Sequence, residues 1–73
     1  MKIVEIFKTN VQNNYDAKDI IALFRIKYPC YKTNFDLDDE DKVFRVQANR
    51  KDIRVDRIIK SMQNLGYSCE RIE

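Results

Sequence analysis

Apolar and polar residues alternate from Lys2 to Val11, with Val4 and Ile6 on one face and Ile3 and Phe7 on the other. A period of two with β-branched and aromatic residues predicts a strand. Both of its faces carry apolar groups, so the alternation alone leaves open which set is core. From Tyr15 to Tyr28 the period lengthens. Ala17, Ile20, Ile21, Phe24 and Tyr28 fall at i, i+3, i+4, i+7 and i+11 and form one stripe of a helix. Asn13 or Asn14 can cap it by accepting a free first-turn N–H, Asp16 suits the positive end of its dipole, and Pro29 ends it.

Alternation returns from Tyr31 to Leu37, with Tyr31, Thr33, Phe35 and Leu37 opposite Lys32, Asn34 and Asp36. The polar run Asp38-Asp39-Glu40-Asp41 follows. Val43 to Ala48 then sets Phe44, Val46 and Ala48 against Val43, Arg45 and Gln47, which predicts a hairpin with an acidic tip. After a polar break at Asn49 to Asp52, the residues Val55, Ile58, Ile59, Met62 and Leu65 trace a second amphipathic helix. Gly66 closes it, since a left-handed residue after the last turn costs glycine little. Ser68 to Glu73 is read as a final short strand.

The order β-α-β-β-α-β leaves the two helices one way to bury their stripes, on one face of a four-stranded antiparallel sheet. The expected fold class is therefore α+β, a ferredoxin-like βαββαβ sandwich. Right-handed crossovers give strand order 4-1-3-2 with the second and fourth strands at the edges. This topology sorts the loops by end. One end gathers the first strand-to-helix turn with Asn13 and Asp16, the acidic tip Asp38 to Asp41, and the Gly66-Tyr67 turn. The other gathers Lys27, Lys32, Arg50, Lys51 and Arg54 around Tyr28 and Tyr31, so the molecule is expected to be acidic at one end and basic at the other. Cys30 and Cys69 fall on opposite edges, too far apart for a disulfide or a shared metal.

Composition narrows this picture. A length of 73 residues with 44% hydrophobic residues supports one domain, 1–73, near the lower size limit for folding on a single core. One Gly and one Pro leave no flexible linker. No apolar run reaches the roughly 18 residues of a membrane span, and the start of the chain reads as a strand, so a cytoplasmic protein is expected. The two cysteines form no CxxC and are expected to be structural thiols in a reducing compartment.

The words Lys8-Thr9-Asn10-Val11, Ala17, Phe35-Asp36-Leu37, Asp41-Lys42-Val43, Ile58-Ile59 and Leu65-Gly66-Tyr67 together resemble the heavy-metal-associated domain of bacterial copper chaperones. The resemblance spans nearly the whole chain. It implies the ferredoxin-like fold and, in the first turn, a C-x-x-C pair of thiolates holding a soft metal. Asn13 and Asp16 stand at those two positions here, and oxygen ligands do not replace thiolates for a soft monovalent ion. Tyr67 matches the family's loop tyrosine beside the metal. The resemblance thus implies the fold while arguing against the activity, with no metal site and no cofactor expected.

Asp16 and Asp38 to Asp41 offer oxygens to a hard cation, but no EF-hand-like D-x-[DN]-x-[DN]-G word is present and a solvated acidic turn is the simpler expectation. With no His, no phosphate loop and no base beside either thiol, no enzyme is expected. RNA-recognition domains share this topology and stack bases on central-strand aromatics, for which Phe7 and Phe44 are candidates. The missing RNP1 pattern and a net charge of +2 weigh against nucleic acid. The preferred expectation is a protein-interaction or regulatory module, acting as a homodimer or bound to a partner through an open sheet face carrying Ile3, Phe7, Tyr31 and Val43. The alternative is atypical Cu or Zn binding through Cys30 or Cys69 after dimerisation.

Overall fold

The pattern resolves into six elements in a computed structural model that describes residues 2–49 and 52–72. They are β1 (Ile3–Thr9), α1 (Asn14–Lys27), β2 (Lys32–Asp36), β3 (Val43–Ala48), α2 (Val55–Asn64) and β4 (Cys69–Ile72). The strands form one antiparallel sheet in the order β2-β3-β1-β4, the expected 4-1-3-2 arrangement read from the other side. The chain has a ferredoxin-like α+β fold. β1 and β2 end a residue or two inside the span of their alternation, β3 matches it, and β4 starts one residue later at Cys69, while the expected end at Glu73 lies outside the described residues.

Register decides the question that alternation left open. Ile3 faces Ala48, Glu5 faces Val46 and Phe7 faces Phe44. Phe7, Phe44 and Val46 are fully buried and form one cluster with Ala17, Ile20 and Phe24 of α1 and Ile58 and Met62 of α2. The helices therefore cover the face bearing Ile3 and Phe7. Phe44 is the hub, stacked on Phe35 with ring centroids 4.5 Å apart and met edge-on by Phe24 at 5.1 Å. Contacts of this kind add about 0.5–1.5 kcal/mol each beyond area burial.

The opposite, open face carries Val4, Ile6 and Lys8 of β1, Val43, Arg45 and Gln47 of β3, and the outward residues of the two edges. Ile6 pairs there with Ile72 and Lys8 with Glu70. Three of the four residues expected on this face are elsewhere. Phe7 lies in the core, Ile3 packs against it, and so does Tyr31, since its alternation partners Thr33 and Phe35 face Val46 and Phe44. Val43 alone lies on the open face, where apolar side chains are interspersed with Lys32, Asn34, Asp36 and Arg45.

The helix ends follow local chemistry. Asn13 adopts an extended conformation and caps α1, and the Tyr28 N–H returns to the Phe24 carbonyl at 2.7 Å immediately before Pro29. At the end of α2 the Gly66 N–H reaches the Gln63 carbonyl at 2.9 Å and the Tyr67 N–H reaches Met62 at 3.0 Å, a Schellman closure. Gly66 has φ +94°, a conformation that a side chain would strain. The closure turns the chain toward β4 and places Tyr67 beside the start of α1.

Candidate functional site

Three loops meet at the end of the sheet where β1 finishes. Thr9 ties the first two together. Its N–H donates to the Asp41 carbonyl at 3.0 Å and its buried hydroxyl donates to the Lys42 carbonyl at 2.6 Å while accepting the Val11 N–H at 3.3 Å. Asn10 ties in the third, its side-chain oxygen accepting the Ser68 N–H at 2.9 Å. The sequence-predicted neighbours Asn13, Asp16, Asp38 to Asp41 and Tyr67 thus share one end.

Within this end several of the oxygens are already committed, two of them to backbone N–H groups. The Asn13 side-chain oxygen accepts the Asp16 N–H at 2.9 Å, and the Asn13 amide nitrogen donates to the Asp16 carboxylate at 3.2 Å. Asp39 accepts the Asp41 N–H at 2.9 Å and Asp41 sits 3.8 Å from the Lys8 ammonium. Lys42 holds the left-handed φ of 48° that the tip requires and donates its ammonium to the Leu37 carbonyl. The Tyr67 phenol is raised above its ordinary value by desolvation and by the neighbouring carboxylates of Asp16 and Asp19. It stays protonated, so it can donate a hydrogen bond but offers no anionic ligand. Among the described residues no group of three or more His, Cys, Asp or Glu is gathered to hold a metal.

Cys30 is exposed just before edge strand β2, and Cys69 is buried on the other edge strand, β4. Burial pushes the Cys69 thiol up to about 12. That thiol is neutral at physiological pH, opposite in character to a metal-binding thiolate.

The other end is built on tyrosines. Tyr28 and Tyr31 stack with centroids 5.3 Å apart. The Tyr31 phenol accepts the Arg54 N–H at 3.0 Å and donates toward the Asp52 carbonyl, which pins the chain where it enters α2, a helix whose first residue lacks a side-chain cap. The Tyr28 hydroxyl lies 2.9 Å from the buried Ser61 hydroxyl, and the Lys27 ammonium donates to that same oxygen at 3.0 Å. Lys27, Lys32 and Arg54 flank these rings in the expected basic end, while Arg50 and Lys51 lie outside the described residues.

Two neighbouring surface features were missed by pattern reading. A depression of ≈ 660 Å³ over α2 is lined by Lys27, Tyr28, Asp56, Arg57, Lys60 and Ser61. It continues through Lys27, Ser61 and Asn64 into an apolar groove of ≈ 310 Å³ between the helices, lined by Leu23, Ile26 and Leu65. Ile26 is 81% exposed, Leu23 47% and Leu65 41%. Leu65 had been expected in the buried stripe, but it falls in the closing turn, where the chain leaves the helix axis. Leu23 and Ile26 sit off the Ala17, Ile20 and Phe24 stripe, and that displacement was the available signal.

The central-strand aromatics do not form a base-stacking platform. Phe7 and Phe44 both have zero exposure beneath the helices, and the open face presents no aromatic side chain among its described residues. No helix among the described residues is long and apolar enough to cross a membrane. No protein-family model matches the chain, and no curated protein or solved structure matches it either.

Proposed function

We propose that this chain is a small protein-interaction or regulatory module, a scaffold of the heavy-metal-associated kind in which the first turn caps a helix where related domains grip a soft metal. The observation that carries this reading is the apolar groove formed by Leu23, Ile26 and Leu65. The core is already complete without these side chains, so their exposure does nothing for the fold. Burying Ile26, the most exposed of the three, against a partner contributes up to about 1.5–3 kcal/mol, and Leu23 and Leu65, already more than half covered, contribute less. The capping of α1 by Asn13 with Asp16 supports the same reading, because it gives those positions a structural role. Two unpaired cysteines fit a reducing compartment, and we assign the module to the cytoplasm.

The test is photo-crosslinking in the cell of origin, with a benzophenone amino acid placed at Ile26 or, as a control, at Asn34 on the open sheet face. A discrete protein adduct from position 26 and none from position 34 is expected. Folded proteins that give no adduct at either position contradict the reading, and an adduct containing a second copy of this chain identifies a homodimer.

A further inference from the structure

The groove and the basic depression are one continuous surface, and this selects the chemistry of the partner. Lys27, Ser61 and Asn64 belong to both. At one end the surface is apolar, lined by Leu23, Ile26 and Leu65. At the other it carries Lys27, Arg57 and Lys60, none of which enters an ion pair among the described residues. One acid, Asp56, lines this end among the three cations, and its carboxylate lies 4.0 Å from the Arg54 guanidinium. The Lys27 ammonium is held on a serine hydroxyl, so it is positioned without being neutralised.

We infer that this surface docks an acidic amphipathic segment of a partner protein, its apolar side chains between α1 and α2 and its carboxylates over Lys27, Arg57 and Lys60. The inference rests on the interaction-module reading and specifies the occupant. An apolar groove beside unpaired cations matches one face of such a segment, with anchors giving affinity and charges giving register and encounter rate. A second copy of this chain is a poorer match. Its own acidic tip, Asp38 to Asp41, has the charge but no large apolar anchor.

The experiment is amide-resolved NMR titration with three synthetic helical peptides of equal length. One carries leucines on one face and glutamates beside them, one replaces those glutamates by lysines, and one replaces the leucines by glutamines. The expected result is that the first peptide shifts the amides from Leu23 to Lys27 and from Arg57 to Leu65. Its affinity should fall about tenfold in Ile26→Gln and in the double variant Arg57→Glu with Lys60→Glu, and with added salt in the native protein. All these positions are exposed, so the variants should keep the native spectrum elsewhere. Equal binding of the lysine peptide, or shifts confined to Val4, Ile6 and Ile72, would overturn the inference while leaving an interaction module standing. Absence of any shift with all three peptides would overturn it as well. The module reading would then fall only if crosslinking from position 26 were also blank.

Discussion

Asn13 and Asp16 satisfy one another across the first turn of α1. The Asp16 N–H is held at 2.9 Å by the Asn13 oxygen, and the Asp16 carboxylate receives the Asn13 amide at 3.2 Å. This arrangement starts the helix, adds a negative charge at its positive end, and uses two positions that the family resemblance associates with thiolates. Asn13→Ala is expected to destabilise the fold by about 1 kcal/mol. Thermal unfolding should show a fall in Tm of about 4–8 °C, the scale for a domain of this size. An unchanged Tm would mean that the cap contributes nothing.

The aromatic hub makes a second prediction. Phe44 meets Phe7, Phe24 and Phe35 from two other strands and a helix, and it has no exposed surface. Phe44→Ala should cost about 3–5 kcal/mol, a large share of the ~5–15 kcal/mol typical of a domain. Urea unfolding should find the variant largely unfolded at low denaturant, whereas Arg45→Ala on the open face should unfold close to the native midpoint.

The two cysteines should differ in reactivity and in their effect on pH stability. Cys30 is exposed and should react with a thiol reagent at pH 8 in the folded protein, whereas Cys69 should react only after unfolding. Cys69 keeps its proton in the fold up to about 12, while an unfolded thiol ionises near 9.0. Above pH 9 the unfolded chain therefore binds fewer protons than the folded one, and stability falls as pH rises toward 12. Tyr67, also raised, acts in the same direction at pH above 10.0. Urea midpoints between pH 8 and 11 should decline, and Cys69→Val should flatten part of that decline.

Strand and helix periods carried most of the fold, because α1, α2, β2 and β3 each have one dominant apolar face. The Ala17, Ile20 and Phe24 stripe, the Asn13 cap and the Gly66 closure were all legible for that reason. The side choice in β1 was not, since Val4 and Ile6 balance Ile3 and Phe7, and only pairing with Phe44 breaks the tie. The same ambiguity sent Ile3 and Phe7 to the wrong surface, whereas Tyr31 shares the face of Phe35 opposite Lys32, Asn34 and Asp36, so its place toward the core was legible in the alternation. The end-to-end grouping of loops was readable from topology, yet the groove was not. It depends on the spacing of two helices that meet chiefly through Lys27, Tyr28 and Ser61, a relationship between elements that no single period encodes.

We propose that the first turn, capped by Asn13 and Asp16, stands at the position where the heavy-metal-associated domains that the sequence resembles hold a soft metal. Cu(I) titration against a competing chelator tests it most directly, on the native chain and on the double variant Asn13→Cys with Asp16→Cys. The native chain is predicted to leave the chelator loaded, and the folded double variant to take up one equivalent of Cu(I). Tight stoichiometric binding by the native chain that Cys30→Ser or Cys69→Ser abolishes would contradict the account, as would a folded double variant that stays inert.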